Sequence, residues 1–384
     1  MSKNNSLDLH KHYKGKVEIR SKVSIRNEED LAWAYSPGVA EPCKAIYNSH
    51  NDVYTYTSKG NNVAVITDGS AVLGLGNIGP KAALPVMEGK AILFKTFGGI
   101  DAYPICLDTQ DTEAIIETCT RLAPTFGGIN LEDIKAPKCI EIEQRLKQVL
   151  DIPVFHDDQH GTAIVTLAAL LNSIKLVQKK IDTLQIVLCG TGAAGSSIAR
   201  LLNEAGVKTL YAFNKDGVIT TRKYDTYDFS IQALLDESII TSSSQTDLVD
   251  IMKGSDVFIG VSTGNIVDTA MVQQMAHDPI IFAMANPTPE ITPSEAKKAG
   301  ARIVGTGRSD YPNQINNVLA FPGVFKGALE ARVKDITIEM QLKAAHAIAD
   351  VIEPEALTED YIIPSPFDKR VVKAVSNAII KAFK

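Results

Sequence analysis

The sequence predicts an α/β protein in two parts: an N-terminal α/β unit, then a Rossmann-type doubly wound domain that closes in a helical C-terminal segment. Three observations support this. The 384 residues exceed what one hydrophobic core usually serves. Residues 185–308 alternate short apolar runs with amphipathic stretches, as βαβ units do in a parallel sheet. Gly190-Thr191-Gly192-Ala193-Ala194-Gly195 follows an apolar run and opens a breaker-free stretch, the context of a nucleotide-binding G-x-G-x-x-G turn. The boundary is expected near Asp151, dividing 1–151 from 152–384.

In chain order, residues 1–20 are polar and lack the apolar core of a secretory signal. Strands are expected at 63–67, 91–94 and 103–107, and a helix at 114–122. A short strand at 152–155 leads into a helix over 161–175 that bridges to the second domain. There the expected strands are 185–189, 209–213, 256–261, 280–285 and 302–304, each followed by a turn rich in Gly, Asn or Ser. Helical spacing over 323–333, 336–352 and 370–383 ends the chain, and these helices are expected to pack back on the first unit.

Composition excludes several classes. A net charge of -6 without a concentrated basic surface argues against nucleic acid as partner. No apolar run is read as long enough to span a membrane. Five cysteines (Cys43, Cys106, Cys119, Cys139, Cys189) lack C-x-x-C spacing, so reduced thiols and a cytoplasmic location are expected.

The segment Phe155-His156-Asp157-Asp158-Gln159-His160-Gly161 places two carboxylates between a strand end and a helix start, where α/β enzymes keep their chemistry. An Asp-Asp pair there also serves as an ordinary helix cap. A second pair, Glu132-Asp133, lies upstream, and two converging pairs repel unless protonated or bridged by a cation. All-oxygen ligation favours Mg²⁺ or Mn²⁺. His156 and His160 lack a third nitrogen ligand nearby and are assigned to no metal.

G-x-G-x-x-G occurs twice, so context decides. In the second copy Gly190 permits a tight turn, Gly192 lets backbone approach a pyrophosphate, and Gly195 lets helix and strand pack closely, with Thr191, Ala193 and Ala194 completing the loop. In the first copy, Gly74-Leu75-Gly76-Asn77-Ile78-Gly79, Pro80 and Pro85 bracket the residues where a helix would start. It reads as a turn shaping a substrate pocket, or as glycines needed only for positive φ. Where a ribose-binding acid is usual, this chain has Asn214, followed by Lys215 and Asp216. Asn bonds a hydroxyl and Lys tolerates a 2′-phosphate, so NAD is preferred with NADP left open.

With the blocks Ala34-Tyr35-Ser36-Pro37-Gly38-Val39-Ala40-Glu41-Pro42, Thr67-Asp68-Gly69, Gly89-Lys90-Ala91, Ala285-Asn286-Pro287-Thr288-Pro289-Glu290 and Asn316-Asn317, the chain resembles the malic enzymes in their short bacterial form. The resemblance runs from about residue 18 onward. It implies an N-terminal substrate domain and oxidative decarboxylation of (S)-malate to pyruvate and CO₂, with reduction of NAD or NADP and a divalent metal. It further implies Tyr35 as general acid, Lys90 as general base with Asp157 as its partner, Glu132, Asp133 and Asp158 as metal ligands, and Asn286 and Asn317 at the substrate. A homodimer is implied, in which residues can cross between subunits. One departure is Ala71, where longer relatives carry an arginine for the substrate carboxylate. Two rival readings are a malolactic-type decarboxylation to lactate with retained NAD, and a metal-independent amino-acid dehydrogenase. A dinucleotide-binding regulator without catalysis is a third.

Overall fold

The computed structural model describes residues 3–72 and 74–384; Leu73, in the first glycine block, lies outside the described residues. Four strands, β1 (Asn62–Thr67), β2 (Asp101–Cys106), β3 (Gly128–Leu131) and β4 (Val154–His156), form a parallel sheet in the order β2-β1-β3-β4. β1 is Asn-Val-Ala-Val-Ile-Thr and is buried throughout, as expected of an inner parallel strand covered on both faces. β3 and β4 are neighbours with Leu131 opposite His156. The residues that follow them, Glu132-Asp133 and Asp157-Asp158, therefore emerge side by side at the carboxyl edge.

A second sheet holds β5 (Gln185–Cys189), β6 (Thr209–Asn214), β7 (Gly217–Val218), β8 (Val257–Gly260), β9 (Ile280–Ala283) and β10 (Ile303–Thr306) in the order β10-β9-β8-β5-β6-β7. All pairings are parallel except β6 with β7. The order reverses at β5, so the crevice outside β5 and β8 is the switch point where this topology holds its ligands.

The helix Thr162–Val177 joins the two sheets. Residues 163–170 are buried in succession, so the helix is enclosed all round rather than amphipathic. Its core includes Val63 and Val65 from β1, Ile186 and Leu188 from β5, and Phe321, Phe325 and Ile379 from the last helices. Together with the π-helical turn Asp157–Gly161 it is long and apolar enough to cross a membrane, contrary to the sequence expectation. Burial of most of it between two sheets accounts for that composition. Of the C-terminal helices, Phe321–Ala331 packs back on the first unit, with Phe94 4.6 Å from Phe321 and 5.3 Å from Phe325 between ring centroids, Lys369–Phe383 packs on that helix, and Ile338–Ala349 lies against Lys369–Phe383 and Thr162–Val177.

Two expectations fail here. The run 91–94 is no strand: it ends the helix Pro80–Leu93 and enters a π-helical turn, Phe94–Gly98. Four apolar residues in a row suit a buried helix as well as a strand. Nor does Pro80 prevent a helix after the first glycine motif, because it occupies the first turn, where its missing N–H costs nothing. Pro85 is carried inside.

Candidate active site

The site is assembled at the carboxyl edge of the first sheet. Lys90, on the last turn of Pro80–Leu93, extends its ammonium to Asp157 Oδ2 at 2.6 Å and Glu132 Oε1 at 2.9 Å, above the Phe321 ring at 4.3 Å. Lys90, Glu132, Asp133 and Asp157 are buried, and Asp158 is about one third exposed. The Asp133 backbone N–H, at positive φ, donates to Asp158 Oδ2 at 2.8 Å and draws the two acidic segments together.

Three carboxylates, Asp157, Glu132 and Asp158, act on one ammonium. Burial pushes the Glu132, Asp157 and Asp158 carboxyls above their ordinary range, Lys90 pulls them back, and repulsion adds to the rise for Glu132 and Asp157. Burial lowers Lys90, but Asp157, Glu132 and Asp158 outweigh burial and hold it above the ordinary lysine value.

Glu132, Asp133 and Asp158 each offer an oxygen, all within 4.8 Å of one another. That separation is within the span of oxygen ligands about one hard divalent cation, whose bonds run from about 2.0 to 2.6 Å. Neither histidine belongs to this group. His156 is fully buried with no hydrogen-bond partner on either ring nitrogen, and burial pushes it down to about 4, a neutral imidazole. Asn130, a polar residue inside apolar β3, donates to Glu132 Oε2 at 2.9 Å. Sequence reasoning missed it, although an Asn between Ile129 and Leu131 was the available signal.

The two asparagines are placed differently. Asn317 contacts the acidic turn, since a Cβ on Gly161 would lie 3.1 Å from the Asn317 Cβ and 1.9 Å from Asp157 Oδ1. The capping task falls to Asn316, which accepts from the Val318 N–H. Asn286 follows β9 and is exposed; a Cβ on Gly74 would stand 2.6 Å from its carbonyl oxygen. The first glycine motif thus packs against the Asn286 loop, and Gly74, Gly76 and Gly79 all have positive φ. Ala71 donates its N–H to the Asp133 carbonyl. Tyr35 is apart from the rest. It ends the helix Glu28–Ala34 with 68% of its surface exposed, and among the described residues no hydrogen bond joins its hydroxyl to the cluster.

In the second sheet the glycine loop follows β5 and opens the helix Ala193–Glu204. Gly190 has φ +105°, and a Cβ there would meet the Val261 carbonyl at 2.8 Å. A Cβ on Gly195 would fall 1.8 Å from the Gly190 oxygen, while one on Gly192 would meet nothing within 4 Å. Gly190 and Gly195 are required by packing, and Gly192 faces open space where a pyrophosphate can approach backbone. Asn214 ends β6 with its amide oxygen accepting from the Asp216 N–H at 2.8 Å.

Residues 14–114 and 109–147 match the malic enzyme N-terminal domain, and residues 159–383 match the malic enzyme NAD binding domain. The chain belongs to the malic enzyme family. Among its relatives, the bifunctional malic/malolactic enzyme of Bacillus subtilis is 55% identical over 380 residues, covering 98% of this chain and 92% of that one. The NAD-dependent malic enzyme of Geobacillus stearothermophilus is 52% identical, covering 97% and 77%. The crystal structure of an NAD-dependent malic enzyme from Thermotoga maritima superposes with a TM-score of 0.93 at 48% identity, covering 98% of both chains.

Proposed function

We propose that this chain is a divalent-metal-dependent malic enzyme that converts (S)-malate to pyruvate and CO₂ while reducing NAD, with NADP as the alternative acceptor. The observation that carries this is the buried Lys90–Asp157 pair beside three carboxylates of cation spacing, in a chain that also holds a dinucleotide glycine loop. An amino-acid dehydrogenase has no use for that carboxylate group.

Glu132, Asp133 and Asp158 would hold the metal, which when bound supplies Lewis-acid polarisation of the C2 oxygen and offsets enolate charge. The loop 190–195 would hold the dinucleotide, which accepts hydride from C2. Lys90 takes the C2 hydroxyl proton. Asp157 Oδ2, at 2.6 Å, is the acceptor at hand for the proton Lys90 must give up, and burial raises that carboxyl above the ordinary aspartate value. Asn286 and Asn317 orient the substrate. Tyr35 then protonates C3 of the enolate left when CO₂ departs.

Tyr35 is exposed at the end of its helix, and we propose a homodimer in which this residue crosses between subunits. The support is the N-terminal segment, where Ile19, Trp33 and Tyr47 are 90%, 76% and 83% exposed and the helices Glu28–Ala34 and Ala40–Asn48 bury none of their residues. We assign residues 1–151 to substrate and metal binding and 152–384 to the dinucleotide and closing helices, and place the protein in the cytoplasm, its cysteines all being free thiols.

The Bacillus subtilis relative favours a second reading, malolactic turnover on the same residues, in which the dinucleotide stays bound and lactate leaves. Initial rates with malate and Mn²⁺, comparing NAD with NADP and assaying both products, test the proposal. Reduced nicotinamide and pyruvate should accumulate, and a chelator should abolish the rate. Turnover that survives metal removal would refute it.

A further inference from the structure

The acidic turn is held by residues outside the reaction. Glu143 lies on the helix Lys138–Val149, 3% exposed, and its carboxylate accepts from the His156 backbone N–H at 3.2 Å and from His160 Nε2 at 2.9 and 2.8 Å. It grips the chain just before Asp157 and just after Asp158. Lys147 completes its surroundings at 3.4 Å. On the far side of the ring, His160 Nδ1 lies 3.0 Å from the Ser197 hydroxyl, one turn into the helix Ala193–Glu204 that the glycine loop opens. With the proton on Nε2 directed at a carboxylate, Nδ1 is left to accept from the Ser197 O–H. The imidazole thus has one donor and one acceptor contact, each to a different half of the molecule.

We propose that Glu143, His160 and Ser197 are a positioning relay that couples the carboxylate turn to the dinucleotide helix, so that metal and dinucleotide bind cooperatively. None of the three touches reacting atoms. Moving Asp158 onto a cation shifts the turn; the His160 ring follows because Glu143 holds it, and Ser197 carries that shift to the helix end facing the pyrophosphate. Such coupling is reciprocal: whatever factor the metal adds to dinucleotide affinity, the dinucleotide adds to metal affinity.

The proposal rests on the metal assignment above, and the test separates the two. NADH dissociation constants are measured by fluorescence on the full chain, with and without Mn²⁺, and Mn²⁺ binding is measured alone. The wild type should show tightening on the order of 5- to 150-fold. Ser197→Ala should bring that ratio near one while each ligand alone binds almost as before, and Ser197→Thr, which keeps the hydroxyl, should restore it. His160→Gln gives the same reading should Ser197→Ala fail to fold. If Mn²⁺ does not bind the wild type, the metal assignment falls and the relay with it. If both ligands bind and Ser197→Ala keeps the wild-type ratio, the relay alone is overturned.

Discussion

At Lys90, burial and charge act in opposite directions, and the outcome decides how the residue works. Charge prevails, so the group rests as an ammonium paired with Asp157, the acceptor that the proposed mechanism gives its proton. Replacing Lys90 with Ala should lower kcat roughly 100- to 10,000-fold, the usual contribution of a general base, with NADH affinity almost unchanged. Steady-state kinetics beside a fluorescence titration would check both. Glu143 is the opposite case. Burial alone would raise it, but His160 and Lys147 hold it at about 2 against an ordinary 4.5. A depressed carboxylate stabilises the fold above its unfolded value and loses that contribution as pH falls through its folded value. The window is therefore about pH 4.5 down to 2, and the contribution is about 3 kcal/mol. Melting curves across that window should be flatter for Glu143→Gln than for the wild type, and less stable at neutral pH.

Between elements, the glycine loop offers a separation of stability from binding. Gly195→Ala places a carbon against the Gly190 carbonyl, so it should cost about 1–3 kcal/mol of stability as well as dinucleotide affinity. Gly192→Ala meets no protein atom, so thermal stability should hold while NADH binding weakens. Calorimetry and titration of both variants give the comparison. These positions were legible in the sequence because strand, turn and helix are contiguous there, and β5 was read with its observed ends, 185–189. The run 91–94 was misread because four apolar residues carry no period. Both acidic pairs were visible as local text, but their meeting depends on β3 lying beside β4, a long-range pairing no local pattern records. Glu143 escaped for the same reason. It sits 13 residues before the backbone it binds and 17 before its imidazole, on a helix whose turns give no hint of a buried partner.

Across the whole molecule, the exposed N-terminal residues and the isolated Tyr35 hydroxyl have a shared explanation in the proposed second copy. If Tyr35 serves the other subunit's site, mixing inactive Tyr35→Phe with inactive Lys90→Ala should regenerate activity, because one site of the mixed dimer then receives both native side chains. Light scattering on the mixture would verify the dimer. Mixed dimers that stay inactive would show that Tyr35 acts within its own subunit and would overturn the crossing.

The helix Thr162–Val177 imposes a constraint on how such a chain melts. Its whole circumference is claimed, partly by β1 of one sheet and partly by β5 of the other. Detaching either half would strip this common axle bare, so the two halves should melt as one piece.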